Sequence, residues 1–202
     1  MTDYNTFKTQ VRRELEEATA GVWAEDSLLS WTNEATLDIA KRAETQEEHT
    51  YTASVANQQT YDLPDYTLEI KRLLYNDVAL DRVPIGAWPQ VNQAGSPSVW
   101  DVVNRAIYLY PTPTTSATLT IFRRRSPEPI ATVSATTPMP FEDRHNALIK
   151  NYVKAQAMAQ VTDLNSFNMY MQEYERGITE AWQQERNEEL SQVTFGSPLE
   201  VW

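Results

Sequence analysis

The chain has 202 residues, a net charge of −11 and no cysteine, which excludes disulfides, thiolate metal sites and a cysteine nucleophile. Hydrophobic residues at 41% and aromatics at 10% describe a chain with a packed core, not a disordered one. No apolar run approaches the ~20 residues of a membrane span, the first residues lack a signal-peptide pattern, and the acidic balance argues against gripping nucleic acid by phosphate neutralisation.

Charge divides the chain into three. Residues 1–50 hold 5 basic and 11 acidic side chains, 51–130 hold 7 of each, and 131–202 hold 5 and 10. The acidic ends carry helical periodicity and the neutral middle carries strand periodicity.

Residues 4–20 read as a helix, with Phe7, Val11, Leu15 and Ala18 on one stripe and Gly21 as its stop. Residues 25–44 read as a second, with Glu25 and Asp26 in the first turn, Lys41 and Arg42 in the last, and Leu28, Trp31, Thr32, Ala35 and Ile39 on one face. The period changes near 48. Tyr51, Ser54 and Val55, then Tyr61 and Leu63, suggest two short strands turning at Ala56-Asn57-Gln58. Asn76-Asp77 and Asn104-Arg105 mark two further hairpins, at 68–83 and 99–110, and residues 84–93 hold a short helix or an irregular loop. Residues 119–122 form one more strand. Four prolines at 126–140 make a linker back to helix. Residues 141–160 and 165–190 then resume the helical period, the latter through Phe167, Tyr170, Met171, Tyr174, Ile178, Ala181 and Trp182.

The expected fold is α+β and mainly helical. Residues 1–47 and 141–190 form a four-helix bundle, 48–125 an antiparallel β insertion, 126–140 a Pro-rich linker and 191–202 an extended C-terminal tail.

Catalytic chemistry finds no foothold. His49 and His145 are the only histidines, and His145 has only Glu142 and Asp143 nearby, short of the three or four ligands a metal needs. The Glu44, Glu47 and Glu48 cluster reads as a solvated helix end. No nucleophile elbow, dinucleotide fingerprint or phosphate loop occurs. No cofactor, metal or catalytic residue is expected. Two features suit interaction instead. Arg123-Arg124-Arg125 is the only basic run, suited to phosphate or, more commonly, to carboxylates of the same protein or a neighbouring subunit. The tail carries Val193, Phe195, Leu199, Val201 and Trp202, large apolar groups that a solvated terminus normally sheds.

Four segments together resemble the head-to-tail adaptor (connector) proteins of tailed bacteriophages. They are Trp23-Ala24-Glu25-Asp26-Ser27-Leu28-Leu29-Ser30-Trp31-Thr32-Asn33-Glu34-Ala35; Tyr61-Asp62-Leu63-Pro64 with Ile107-Tyr108-Leu109-Tyr110-Pro111-Thr112-Pro113; Pro138-Met139-Pro140-Phe141-Glu142-Asp143-Arg144-His145-Asn146-Ala147-Leu148-Ile149; and the helix at 167–182 with Tyr170 and Tyr174. The element order adds to the likeness, while Ala24 departs from a polar cap. The resemblance implies a non-enzymatic virion protein at the head–tail interface, made in the host cytoplasm. It implies a dodecameric ring bound beneath the portal protein, extending the DNA channel and receiving the next neck or tail protein, with a C-terminal tail reaching toward the portal. DNA would pass without sequence recognition, repelled by an acidic lumen. Two other readings stand beside it. One is a soluble enzyme or carbohydrate-binding domain with its site in the β insertion around Trp88 and Trp100. The other is a head-completion or tail-terminator protein.

Overall fold

A computed structural model describes residues 2–17, 21–43, 47–89, 91, 93–132, 136–141 and 143–194; side chains of Arg144 and of 188–194 are not described. The chain divides into two compact units, Met1–Thr45 with Ser126–Trp202, and Gln46–Arg125.

The first unit is helical: α1 Tyr4–Glu14, α2 Glu25–Arg42, α3 Asp143–Gln160 and α4 Leu164–Thr194. Asp3 caps α1 by accepting the Thr6 amide at 2.8 Å. Ala24 gives α2 no side-chain cap, but Glu25 and Asp26 in its first turn complement the helix dipole. Helix α3 packs against α4, α2 and α1. Its buried face is Ile149, Val153, Ala155 and Ala157, mostly small residues that let neighbours approach. Gly177 lies inside α4 for that reason: a Cβ there would overlap Leu148 Cδ2 on α3.

The linker is fastened by side chains. Asn33 on α2 accepts the Ile130 amide at 2.9 Å and donates to the Ile130 carbonyl at 3.1 Å, seating Ile130 in the core. Asn33→Ala would orphan both groups. It should cost about 1–3 kcal/mol and expose 126–132 to limited proteolysis, whereas an unchanged melting temperature and digest would refute the clamp. Nearer α3, Met139 donates its amide to the Thr2 carbonyl at 2.8 Å, and Asp143 accepts the Thr2 hydroxyl at 3.0 Å.

The second unit is a curled seven-stranded sheet in the order β1-β9-β3-β4-β6-β7-β2. The strands are β1 Glu47–Ala53, β2 Thr60–Asp62, β3 Thr67–Tyr75, β4 Val78–Arg82, β6 Val99–Val103, β7 Ala106–Tyr110 and β9 Thr118–Arg125, with β5 Ala94–Gly95 and β8 Thr112–Pro113 forming a separate pair. Hairpins β3–β4 and β6–β7 turn on Asn76-Asp77 and Asn104-Arg105, all four at positive φ, the conformation whose twist matches paired strands. Inside the curl lie Tyr61, Ile70, Leu73, Tyr75, Leu80, Trp100, Ile107, Leu109, Leu119 and Ile121. The sheet's two edge strands, β1 and β2, are linked by a corner at 54–59. There Ser54 bonds Ala117 through both its backbone amide and its hydroxyl, and the Tyr61 hydroxyl meets Val55 and Gln58.

These facts correct the expected fold class. The chain is not a mainly helical four-helix bundle, because the curled sheet dominates it. Helix α1 is only 11 residues long and stops at Glu14 instead of running to 20; Glu16 takes φ 58° and Glu17 bends back to bond the next turn. The insertion is not wholly antiparallel, since β4 and β6 run parallel, as do β5 and β8. Strands β1 and β2 do not form a hairpin; β1 pairs with β9 and β2 with β7. Nor does an extended tail begin at 191, because α4 runs on to Thr194.

Candidate interaction sites

The turn joining α1 to α2 is built around a buried carboxylate. Glu17 Oε1 accepts the amides of Gly21 at 2.9 Å, Val22 at 2.7 Å and Trp23 at 3.3 Å, while Oε2 accepts Arg12 Nη1. Arg12 Nη2 also donates to the Trp23 carbonyl at 3.0 Å and to Glu25 at 2.8 Å, and Lys8 meets Glu25 at 2.6 Å. The Trp23 indole N–H then donates to the Ala157 carbonyl on α3 at 3.1 Å. The loop is thus held from both sides, and its neighbour Val22 is left 59% exposed. Where α3 turns into α4, Val161 is 44% and Leu164 66% exposed.

Burial pushes the Glu17, Glu14 and Glu25 carboxyls up, yet all three lie below their ordinary 4.5. Three backbone amides and Arg12 outweigh burial at Glu17; Lys150 and Lys154 do so at Glu14, and Lys8 and Arg12 at Glu25. Folded values below unfolded ones mean that this stabilisation is full above the ordinary carboxylate value and is lost as pH falls through the folded values. The melting temperature should therefore hold from pH 7 toward 5 and drop below roughly 4.5. A flat profile down to pH 3 would show that these pairs do not stabilise the fold.

The basic run is absorbed by its own unit. Arg123 is 7% exposed. It donates to the Asp65 carbonyl at 2.6 Å, Thr67 Oγ1 at 2.7 Å and Glu48 at 2.8 Å. Arg125 shares Glu48 at 3.5 Å, and Arg124 turns to Glu69 at 3.6 Å. Of the tail residues, Val193 lies on the last turn of α4; Phe195, Leu199, Val201 and Trp202 fall outside the described residues.

The remaining candidates are structural. His145 is buried against Phe141, ring centroids 5.5 Å apart, and His49 sits between Tyr51 and Phe122 on the sheet. Glu44 and Glu142 lie outside the described residues, and among the described residues no three His, Asp or Glu side chains gather to hold a metal. Trp100 is 2% exposed, its indole bonded to the Leu80 carbonyl at 3.1 Å, so it is no platform for a sugar. Trp88 leans on Tyr110 at 5.5 Å and bonds the Val83 carbonyl. The cleft beside Trp100, lined by Leu63, Thr67, Ile70, Arg82 and Val102, holds about 130 Å³, well under the ~300 Å³ of small ligand sites. A second, of about 240 Å³, lies between Glu47, His49, Lys71 and Phe122.

The model of the SU10 adaptor protein family matches residues 2–200. The chain belongs to that family. No curated protein matches the chain. The adaptor is therefore a phage protein of a structural family, and no described helix of it is long and apolar enough to cross a membrane. Sequence reasoning missed the Arg12–Glu17 clamp. It depends on which residues meet in space; the one available signal was a Glu-Glu pair directly before Ala-Thr-Ala-Gly.

Proposed function

We propose that the adaptor is a non-enzymatic component of the neck of a tailed-phage virion. Copies assemble as a ring beneath the portal protein, extend the DNA channel and receive the next neck or tail protein. The observation that carries this reading is the family match along nearly the whole chain. Charge supports it: residues 46–125 hold seven basic and eight acidic side chains, so nearly all of the −11 falls on the helical unit. An acidic wall repels passing DNA and limits adhesion during packaging and ejection. The basic run supports the same picture, because Arg123, Arg124 and Arg125 are each paired with carboxylates.

The mechanism is multivalent docking, in which modest contacts per copy are multiplied by ring symmetry. Residues 195–202, with Phe195, Leu199, Val201 and Trp202, supply such a contact to the portal or to a neighbouring copy. Mixing the purified adaptor with its portal should give rings of adaptor on portal by electron microscopy, with a mass set by one closed stoichiometry. Only free monomers under every condition would overturn the proposal. Deleting 195–202 should leave the circular dichroism and melting curve intact while abolishing assembly. Unfolding on deletion would mean that the segment belongs to its own core instead.

A further inference from the structure

The seven-stranded sheet is split along one seam. Between β3 and β4 the ladder joins only Leu73–Tyr75 to Val78–Leu80. Beyond it the two strands part. Register shifts in β3 at Thr67–Glu69 and Ile70–Arg72 mark bulges, and a bulge bends the strand that carries it. Strand β4 turns to β6 instead, setting Asp81 against Val99 and Arg82 against Trp100. Pro84, which has no N–H for a ladder, then ends it before a short helical turn at Ile85–Ala87. The stretch Leu68–Ile70 is left with β9 on one side and, on the other, the cleft of about 130 Å³ beside Trp100.

The chemistry of the cleft points to its occupant. Leu63, Ile70, Trp100 and Val102 give it an apolar lining. An apolar cavity of ~150 Å³ takes one benzene ring, so this space seats a single side chain of leucine or phenylalanine size. Two charged residues also line it, Glu69 and Arg82. Glu69 is paired with Arg124 at 3.6 Å. The Arg82 guanidinium is held 5.4 Å from the Trp100 ring, its side chain is 57% exposed, and Asp101 meets it only at 3.7 Å. A positioned, solvent-facing guanidinium suits an incoming carboxylate. Sheets take up extended peptides in this way: an open strand side aligns the guest's main chain, and an adjoining pocket selects one of its side chains.

We propose that the cleft between β3 and β6 docks an extended segment of a partner protein. The segment lies along Leu68–Ile70, seats one apolar side chain against Ile70 and Trp100, and sets a neighbouring carboxylate on Arg82. The site lies wholly within the β unit of one copy, so it stands apart from ring formation and from any contact made by residues 195–202.

The test is a titration of the full-length, nitrogen-15-labelled protein, followed by NMR. The probe is a blocked hexapeptide of threonine with one central leucine and one aspartate beside it. The amide signals of Leu68, Glu69 and Ile70 and the Trp100 indole signal should shift together, while those of β1 and β2 stay in place. Replacing the leucine of the peptide by glycine should weaken binding at least tenfold. Arg82→Glu should reverse the charge preference, so that a peptide with lysine in place of aspartate binds more tightly. Shifts on β1 or β2 instead, no shift at any soluble concentration of the peptide, or an affinity indifferent to the leucine and to the sign of the neighbouring charge would overturn the inference. So would movement of the Leu68–Ile70 signals with protein concentration alone, which would make a second copy the occupant. A failure to form rings on the portal would leave this inference standing while overturning the ring.

Discussion

Glu17→Ala is expected to cost the helical unit about 3–5 kcal/mol, the usual result of removing one partner from a buried ion pair. Three backbone amides, of Gly21, Val22 and Trp23, lose their acceptor at once. Arg12, 9% exposed, keeps its charge but loses the nearest carboxylate and must rely on Glu25 and one carbonyl. At roughly 2–4 °C per kcal/mol for a chain of this size, the melting temperature should fall by about 10 °C. Glu17→Gln separates the contributions. Its amide oxygen still accepts the three backbone donors, but its NH2 then faces Arg12, so an intermediate loss is expected. Exchanging both Arg12 and Glu17 for Met should recover part of the loss, because no charge is left stranded. A Glu17→Ala protein that melts within 2 °C of the parent would mean that water replaces the carboxylate without cost, and the clamp would be ornamental.

Trp100→Ala is expected to have a similar effect on the β unit, about 3–5 kcal/mol. The indole is packed among Leu80, Leu109 and Ile70 in the interior of the curl and donates its N–H to the Leu80 carbonyl. The cleft of about 130 Å³ already lies along one side of the ring. Truncation joins that space to the void left by the indole, and a sheet held by hydrogen bonds on both sides of β6 cannot collapse to fill it. Arg82, whose guanidinium stands 5.4 Å from the ring, loses its apolar support as well. Trp100→Phe keeps most of the volume but gives up the indole bond to the Leu80 carbonyl, and a loss nearer 1–2 kcal/mol is expected. Calorimetry of both variants is the direct measurement. A small effect from Trp100→Ala would show that the curl is less rigid than its hydrogen bonding implies. Soluble oligosaccharides should leave the Trp100 contribution to fluorescence unchanged, since the ring is closed to solvent.

The two variants sample two kinds of legibility. Trp100 stands in a strand whose turn was plain in the sequence, because Asn104-Arg105 and Asn76-Asp77 carry the positive-φ chemistry of a tight hairpin within two residues. The helices α2, α3 and α4 were equally plain in kind, from apolar positions recurring every three or four residues, and the change of period near residue 48 marked where strands begin. Such signals are local: each depends on neighbours within one turn or one hairpin. The sequence alone also settled the lack of cysteine chemistry, the acidic surface and, through the order of its segments, the likeness to phage adaptors.

Everything that joins distant residues had to wait for the tertiary structure. A strand's alternation states which side is buried but not which strand lies beside it, so 51–63 looked like a hairpin when β1 belongs to β9 and β2 to β7. The parallel β4–β6 pair and the dominance of the curled sheet follow from those long-range choices. The basic run suits carboxylate partners, but which one Arg123 takes is decided by the fold: it is buried, and Glu48, 75 residues earlier, is brought opposite it. Glu17 falls within the stretch expected to be helix to residue 20, but α1 stops at Glu14, and three amides and a guanidinium converge on the Glu17 carboxylate instead. Local propensity is a few tenths of a kcal/mol per residue; a buried, fully bonded carboxylate outweighs it, and no window of sequence reveals that burial.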